Sequence, residues 1–130
     1  MTIHADEDTD LLRRYFADIE DSTPLSRERE VELSAKIHKG DMAARDELAS
    51  ANLRFVVDVA RQYQNRGLSM AELVSAGNVG LMKAADRFDG ERGFKFISYA
   101  VWWIRQSIMQ TLTDQTRTVR VPVTRQNLLR

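Results

Sequence analysis

From Asp41 to about Gln64 the chain reads as one helix that is apolar around most of its circumference. Leu48, Phe55, Val56, Val57, Val59, Ala60 and Tyr63 cover far more than a stripe, and only a strip with Glu47, Arg54, Asp58 and Arg61 is charged. Such a helix needs neighbours on several sides, which predicts the centre of a helical bundle. Asn52 projects on its apolar side, where an unpaired amide is costly, so on its own it reads as a satisfied structural group.

The flanking sequence supplies those neighbours, and none of it alternates as a strand would. A short helix is expected over residues 9–20, with Leu11, Leu12, Tyr15, Phe16 and Ile19 at helical spacing. Asp21-Ser22-Thr23-Pro24 breaks it, and Ser26 can cap a second helix carrying Val31, Leu33 and Ile37 to about Gly40. Glu28, Glu30 and Glu32 read there as a solvated surface. Asp41 caps the central helix, which Asn65-Arg66-Gly67 should end. Ser69-Met70-Ala71-Glu72 has capping-box form and opens a fourth helix to about Phe88, with Leu73, Gly77, Leu81, Ala84 and Phe88 inward. Gly77 and Gly80 weaken it by about 1 kcal/mol each relative to Ala, which close helix packing would explain. A fifth helix is expected over roughly 95–114, then an extended stretch Thr116–Val123 around Pro122, with Thr124 capping a last helix. The abrupt end six residues later suggests a fragment of a longer chain.

The 130 residues fit one soluble domain, and the absence of Cys excludes disulfides and thiolate metal sites. No apolar run approaches the roughly 18 residues that suggest a membrane span, and the acidic start is unlike a signal peptide. The zero net charge hides an asymmetry: residues 1–50 carry 7 Lys/Arg against 13 Asp/Glu, and residues 51–130 carry 12 against 6. A basic end on a neutral chain is the footprint of a polyanion binder, although a solvated face would look the same.

In the fifth helix Ile97, Val101, Ile104, Ile108 and Leu112 lie within about 80° of one another, an ordinary core stripe. Tyr99, Trp102, Trp103 and Gln106 fall on the other side, near Lys95 and Gln110. Aromatic faces beside basic side chains stack on unpaired bases at about 1–3 kcal/mol per base. The pattern favours opened or single-stranded nucleic acid over intact duplex. A covering protein partner is the alternative. On the fourth helix Ser75, Asn78, Val79, Met82 and Asp86 form a mixed face that suits a protein partner or plain solvent. His4 and His38 have no metal-ligand spacing, and no phosphate loop or nucleophile elbow occurs, so a non-enzyme without cofactor or metal is expected.

Several stretches together resemble the sigma-70 family of bacterial transcription initiation factors, in its primary form. They are Ala51-Asn52-Leu53-Arg54-Phe55-Val56-Val57, Asn65-Arg66-Gly67-Leu68, Gly77-Asn78-Val79-Gly80-Leu81-Met82-Lys83-Ala84, the run Arg92 to Ile108 with its paired tryptophans, and Thr118-Val119-Arg120-Val121-Pro122-Val123. The resemblance implies an all-α fold, a compact bundle of the region 2 type preceded by region 1.2 helices. It divides the chain into an acidic flexible arm (1–8), region 1.2-like helices (9–50), a region 2 core (51–115) and a linker opening region 3 (116–130).

The resemblance also implies roles. Trp102 and Trp103 would wedge the upstream edge of melted promoter DNA, and Tyr99 would stack on the flipped adenine of the minus-ten element. Phe88, Asp89, Arg92, Phe94 and Ser98 would surround that adenine. Asn52 and Phe55, with Arg54 beside them, would pocket a second flipped base, against the structural reading of Asn52 given above. Lys95, Arg105, Gln106, Arg117 and Arg120 would meet the backbone or upstream duplex. Glu72, Leu73, Ser75, Asn78, Val79 and Met82 match the surface that docks on the clamp coiled coil of the polymerase beta-prime subunit. The implied partners are RNA polymerase core, the single-stranded non-template minus-ten element and an anti-sigma factor, in the cytoplasm and at the nucleoid, with no membrane.

The chain also departs from the family pattern. Ser75 and Ala76 replace a common Gln and Glu, which removes a charge contact with the clamp. Thr124 and Asn127 replace a His and an acid, so recognition of an extended minus-ten element does not carry over.

Overall fold

Ser26 and Asp41 open two of the helices by the same device, each side chain accepting a hydrogen bond from a backbone N–H three residues on. Ser26 takes Arg29 N at 3.1 Å and Asp41 takes Ala44 N at 3.1 Å. The structure, a computed structural model, describes Arg14 and residues 23–129, with side chains described as far as Gln115. The expected arm 1–8 and all but Arg14 of the expected helix 9–20 lie outside the described residues. The described helices are α1 (Arg27–His38), α2 (Met42–Ser50), α3 (Leu53–Ala60), α4 (Met70–Arg87) and α5 (Phe96–Leu129), with 3-10 turns at Arg61–Tyr63 and Gly90–Arg92. No strand occurs among the described residues, and the fold is all-α as expected.

The central helix is broken where continuity was expected. Asn52 Nδ2 donates to the Leu48 carbonyl at 2.8 Å, while the Asn52 backbone N–H turns to Ala49 O at 3.0 Å. The side chain thus occupies the acceptor that its own N–H would use in a continuous helix, and Asn52 leaves helical geometry with φ −117° and ψ 10°. The burial expectation holds for Leu48, Phe55, Val56, Val59, Ala60 and Tyr63, which are all core residues, while Val57 is half-buried. Asn65, at φ 66°, ends the segment in the left-handed region that Asn tolerates.

The capping box of α4 forms in full, with Glu72 N donating to Ser69 Oγ at 3.1 Å and Ser69 N donating to Glu72 Oε1 at 3.0 Å. Its expected inner stripe is buried, and so is that of α5. The two glycines let α4 approach its neighbours closely. A Cβ on Gly77 would lie 2.6 Å from Val56 Cγ1 of α3, and one on Gly80 would lie 2.8 Å from Ile104 Cα of α5.

Two expectations are corrected. The stretch Thr116–Val123 is helical, because α5 continues to Leu129 with Thr124 inside it. An interior proline costs a helix about 3 kcal/mol, and the helix nonetheless runs through Pro122. Glu30 is 1% exposed, unlike the solvated Glu28 and Glu32, because it faces the start of α5. Its Oε1 accepts Phe96 N at 2.9 Å.

Candidate nucleic-acid interface

The turn from α4 to α5 gathers aromatic rings into one connected stack. Phe88 ends α4 and is 1% exposed, with its centroid 5.2 Å from Phe96, 5.9 Å from Tyr99 and 6.2 Å from Phe94. Phe94 stands 6.3 Å from Tyr99, Tyr99 6.5 Å from Trp103, and Trp103 5.2 Å from Trp102 in an edge-on pair. Such separations and tilts suit the ring quadrupole and hold the rings in fixed attitudes. The stack grades from a sealed inner end, Phe88 and Phe96, through half-buried Tyr99 and Trp103 to the exposed edges Phe94 and Trp102. Arg87, which sequence reasoning passed over, lies with its guanidinium carbon 4.9 Å above the Trp103 ring. Its place in the last turn of α4, next to Phe88, was the available signal.

Polar groups border the stack. Asp89 and Arg92 are exposed and pair at 3.7 Å, and Ser98 and Gln106 are half-buried. Arg105 is 6% exposed, so the core side of α5 holds it. Lys95 also faces inward, with Nζ 3.6 Å from Glu30 Oε2 and donating to the Leu25 carbonyl. In this arrangement neither Lys95 nor Arg105 presents its charge to solvent as expected. The side chains of Arg117 and Arg120 lie outside those described.

At the break before α3, Asn52 and Phe55 are fully buried, and the Arg54 guanidinium lies 4.8 Å above the Phe55 ring. Asn52 Oδ1 is buried with no hydrogen-bond partner. On α4, Glu72, Ser75 and Val79 are exposed, Asn78 and Met82 are half-buried, and Leu73 is a core residue at 0% exposure. The outward face is therefore built without Leu73. Glu72 is held below the usual carboxylate range, first by the Ser69 backbone N–H and then by its hydroxyl.

The aromatic stack, α1, α3 and α4 lie within two matched segments. The family model for sigma-70 region 2 matches residues 48–118, and that for region 1.2 matches residues 10–43. The chain belongs to the sigma-70 family. It is also similar to the RNA polymerase sigma factor SigA of Clostridium acetobutylicum, 47% identical over 114 residues, which is 88% of this chain and 30% of that relative. The chain thus spans under a third of the length of the relative it matches. Within this sigma-70 family chain the region 2 match contains the whole aromatic stack and the outward face of α4, while α1 lies in the region 1.2 match. No described helix is long and apolar enough to cross a membrane.

Proposed function

We propose that this chain is the part of a transcription initiation factor that docks on RNA polymerase core and captures unpaired bases of the promoter minus-ten element. The observation that carries this reading is the graded aromatic stack, buried at Phe88 and open at Phe94 and Trp102. A flipped adenine would lie against Tyr99 between Phe94 and Ser98, with Asp89 and Arg92 at its rim. Trp102 and Trp103 would close the upstream edge of the opened duplex. Stacking at about 1–3 kcal/mol per base offsets the few kcal/mol needed to unstack it, with no bond made or broken. The function is binding, not catalysis.

A second base would enter beside Arg54, with a shift at the break before α3 uncovering the buried, unpartnered Asn52 Oδ1 as an acceptor for a base N–H. Arg92 and Arg87 would carry the nearest phosphates, and Arg117 and Arg120 those upstream. The exposed face of Glu72, Ser75, Asn78, Val79 and Met82 would meet the beta-prime clamp coiled coil. In this reading the division at about residue 50 separates a region 1.2 support from a region 2 reader, and the protein works in the cytoplasm.

The test is Trp fluorescence titration with a single-stranded minus-ten oligonucleotide and with one whose second-position adenine is replaced, repeated with Tyr99→Ala. Adenine-dependent quenching lost in the variant is expected. Equal binding to both strands would leave a general single-strand binder, and no quenching at all would favour a protein-covered aromatic face.

A further inference from the structure

The turn that carries Phe94 is tied at both ends to a helix outside the aromatic stack. At its start, Ser34 Oγ of α1 donates to the Phe88 carbonyl at 2.8 Å and accepts Gly90 N at 3.1 Å, both bonds buried. At its end, Glu30 Oε1 accepts Phe96 N at 2.9 Å, and Lys95 joins Glu30 Oε2 and the Leu25 carbonyl. Between these ties residues 91–94 are exposed. Gly90 fits only because it lacks a side chain, since a Cβ there would stand 2.8 Å from Val31 Cα.

Phe96 opens α5, so its N–H is one of the first-turn donors that a helix cannot satisfy internally. Glu30 supplies the acceptor from another helix, and its charge suits the positive end of the α5 dipole. Burying a carboxylate is expensive, and a buried ion pair replaced by apolar groups is often no less stable. Stability is therefore a weak reason for Glu30 to be there, and the placement of what it holds is a stronger one.

We propose that Glu30 and Ser34 are positioning residues for base capture: without touching nucleic acid, they fix the turn that presents Phe94 and the onset of the helix that presents Tyr99. The inference rests on the base-capture reading above. Weakening the ties lets Phe94 drift from its 6.3 Å seat against Tyr99, which relaxes discrimination between bases more than general strand affinity.

The experiment uses the full chain as wild type, Glu30→Ala, Glu30→Gln, Ser34→Ala and the solvent-facing control Glu28→Ala. Each is titrated with the adenine and adenine-replaced oligonucleotides at a temperature where circular dichroism shows it folded. Backbone amide exchange at Gly90, Phe96 and Ile104 is followed by NMR. For Glu30→Ala the ratio of the two affinities should fall about tenfold while binding to the replaced strand changes less than about twofold. Glu30→Gln keeps an oxygen acceptor and should fall between, Glu28→Ala should match wild type, and exchange should quicken at Phe96 but not at Ile104. If Glu30→Ala does not fold, Glu30→Gln and Ser34→Ala carry the comparison.

An unchanged ratio in folded variants, or equal losses on both strands, overturns the positioning role and leaves base capture standing. Protection at Phe96 that survives Glu30→Ala overturns it as well. A wild type that does not discriminate overturns base capture itself, and the positioning role with it.

Discussion

Gly80 of α4 and Trp103 of α5 meet backbone to backbone: a Cβ on Gly80 would stand 2.3 Å from the Trp103 carbonyl oxygen. No rotamer relieves such a clash. Gly80→Ala gains about 1 kcal/mol of helix propensity, whereas overpacking costs about 1–3 kcal/mol. Because the clash is against backbone, the cost lies at the upper end, and a net destabilisation of about 2 kcal/mol is expected in urea unfolding, with a red-shifted Trp emission as the helices part. A variant as stable as wild type would mean that the helices are not locked at this point.

Acid should weaken the fold through two carboxylates. Glu47 is held below its usual range, first by the hydrogen bond from the Arg29 guanidinium, which grips it at 2.7 and 2.9 Å, and Glu72 is held down by Ser69. In the unfolded chain both take up protons near about pH 4.3, before the folded chain does. Their contribution is complete above that value and is lost as pH falls through the lower folded values. Urea midpoints measured from pH 7 to 3 should fall on this limb, and Glu47→Gln with Glu72→Gln should flatten it.

Asn52 offers a separate test of the broken central helix. Asn52→Ala leaves the buried Leu48 carbonyl without its side-chain donor, a loss of about 1–3 kcal/mol. Asn52→Asp removes the same donor and adds a buried charge, so it should cost more. Denaturation curves rank the two, and the reverse order would mean that Asn52 faces a donor.

Polymerase docking and strand capture should separate. Val79→Asp places a charge on the exposed α4 face, where Val79 is 53% exposed. Binding to polymerase core should drop about tenfold or more, a change of about 1.4 kcal/mol or above. Oligonucleotide titration should match wild type, and a parallel fall in both would join the two surfaces into one.

The inner stripes of α4 and α5 were legible because one face of each helix is buried along its length. The caps at Ser26, Asp41 and Ser69 were legible because they are local chemistry. The break at Asn52 was not, since apolar residues continue on both sides of it and only a side-chain bond to Leu48 marks it. Glu30 could not be told from Glu28 and Glu32, because its partner Phe96 lies 66 residues away. Lys95 and Arg105 were expected at the nucleic-acid backbone from the family resemblance, and the fold turns both inward. Pro122 was weighed as a helix breaker, yet α5 runs through it.

Phe88 touches Phe96 on one side and Phe94 and Tyr99 on the other. The same ring is thus the last brick of the interior and the floor beneath the exposed rings. Any drift in sequence at this position is judged twice, by how the bundle closes and by how the outer rings tilt. In the proposed base capture, changing which base the face prefers would be easier at the rim, at Phe94 or Ser98, than at the ring on which both depend.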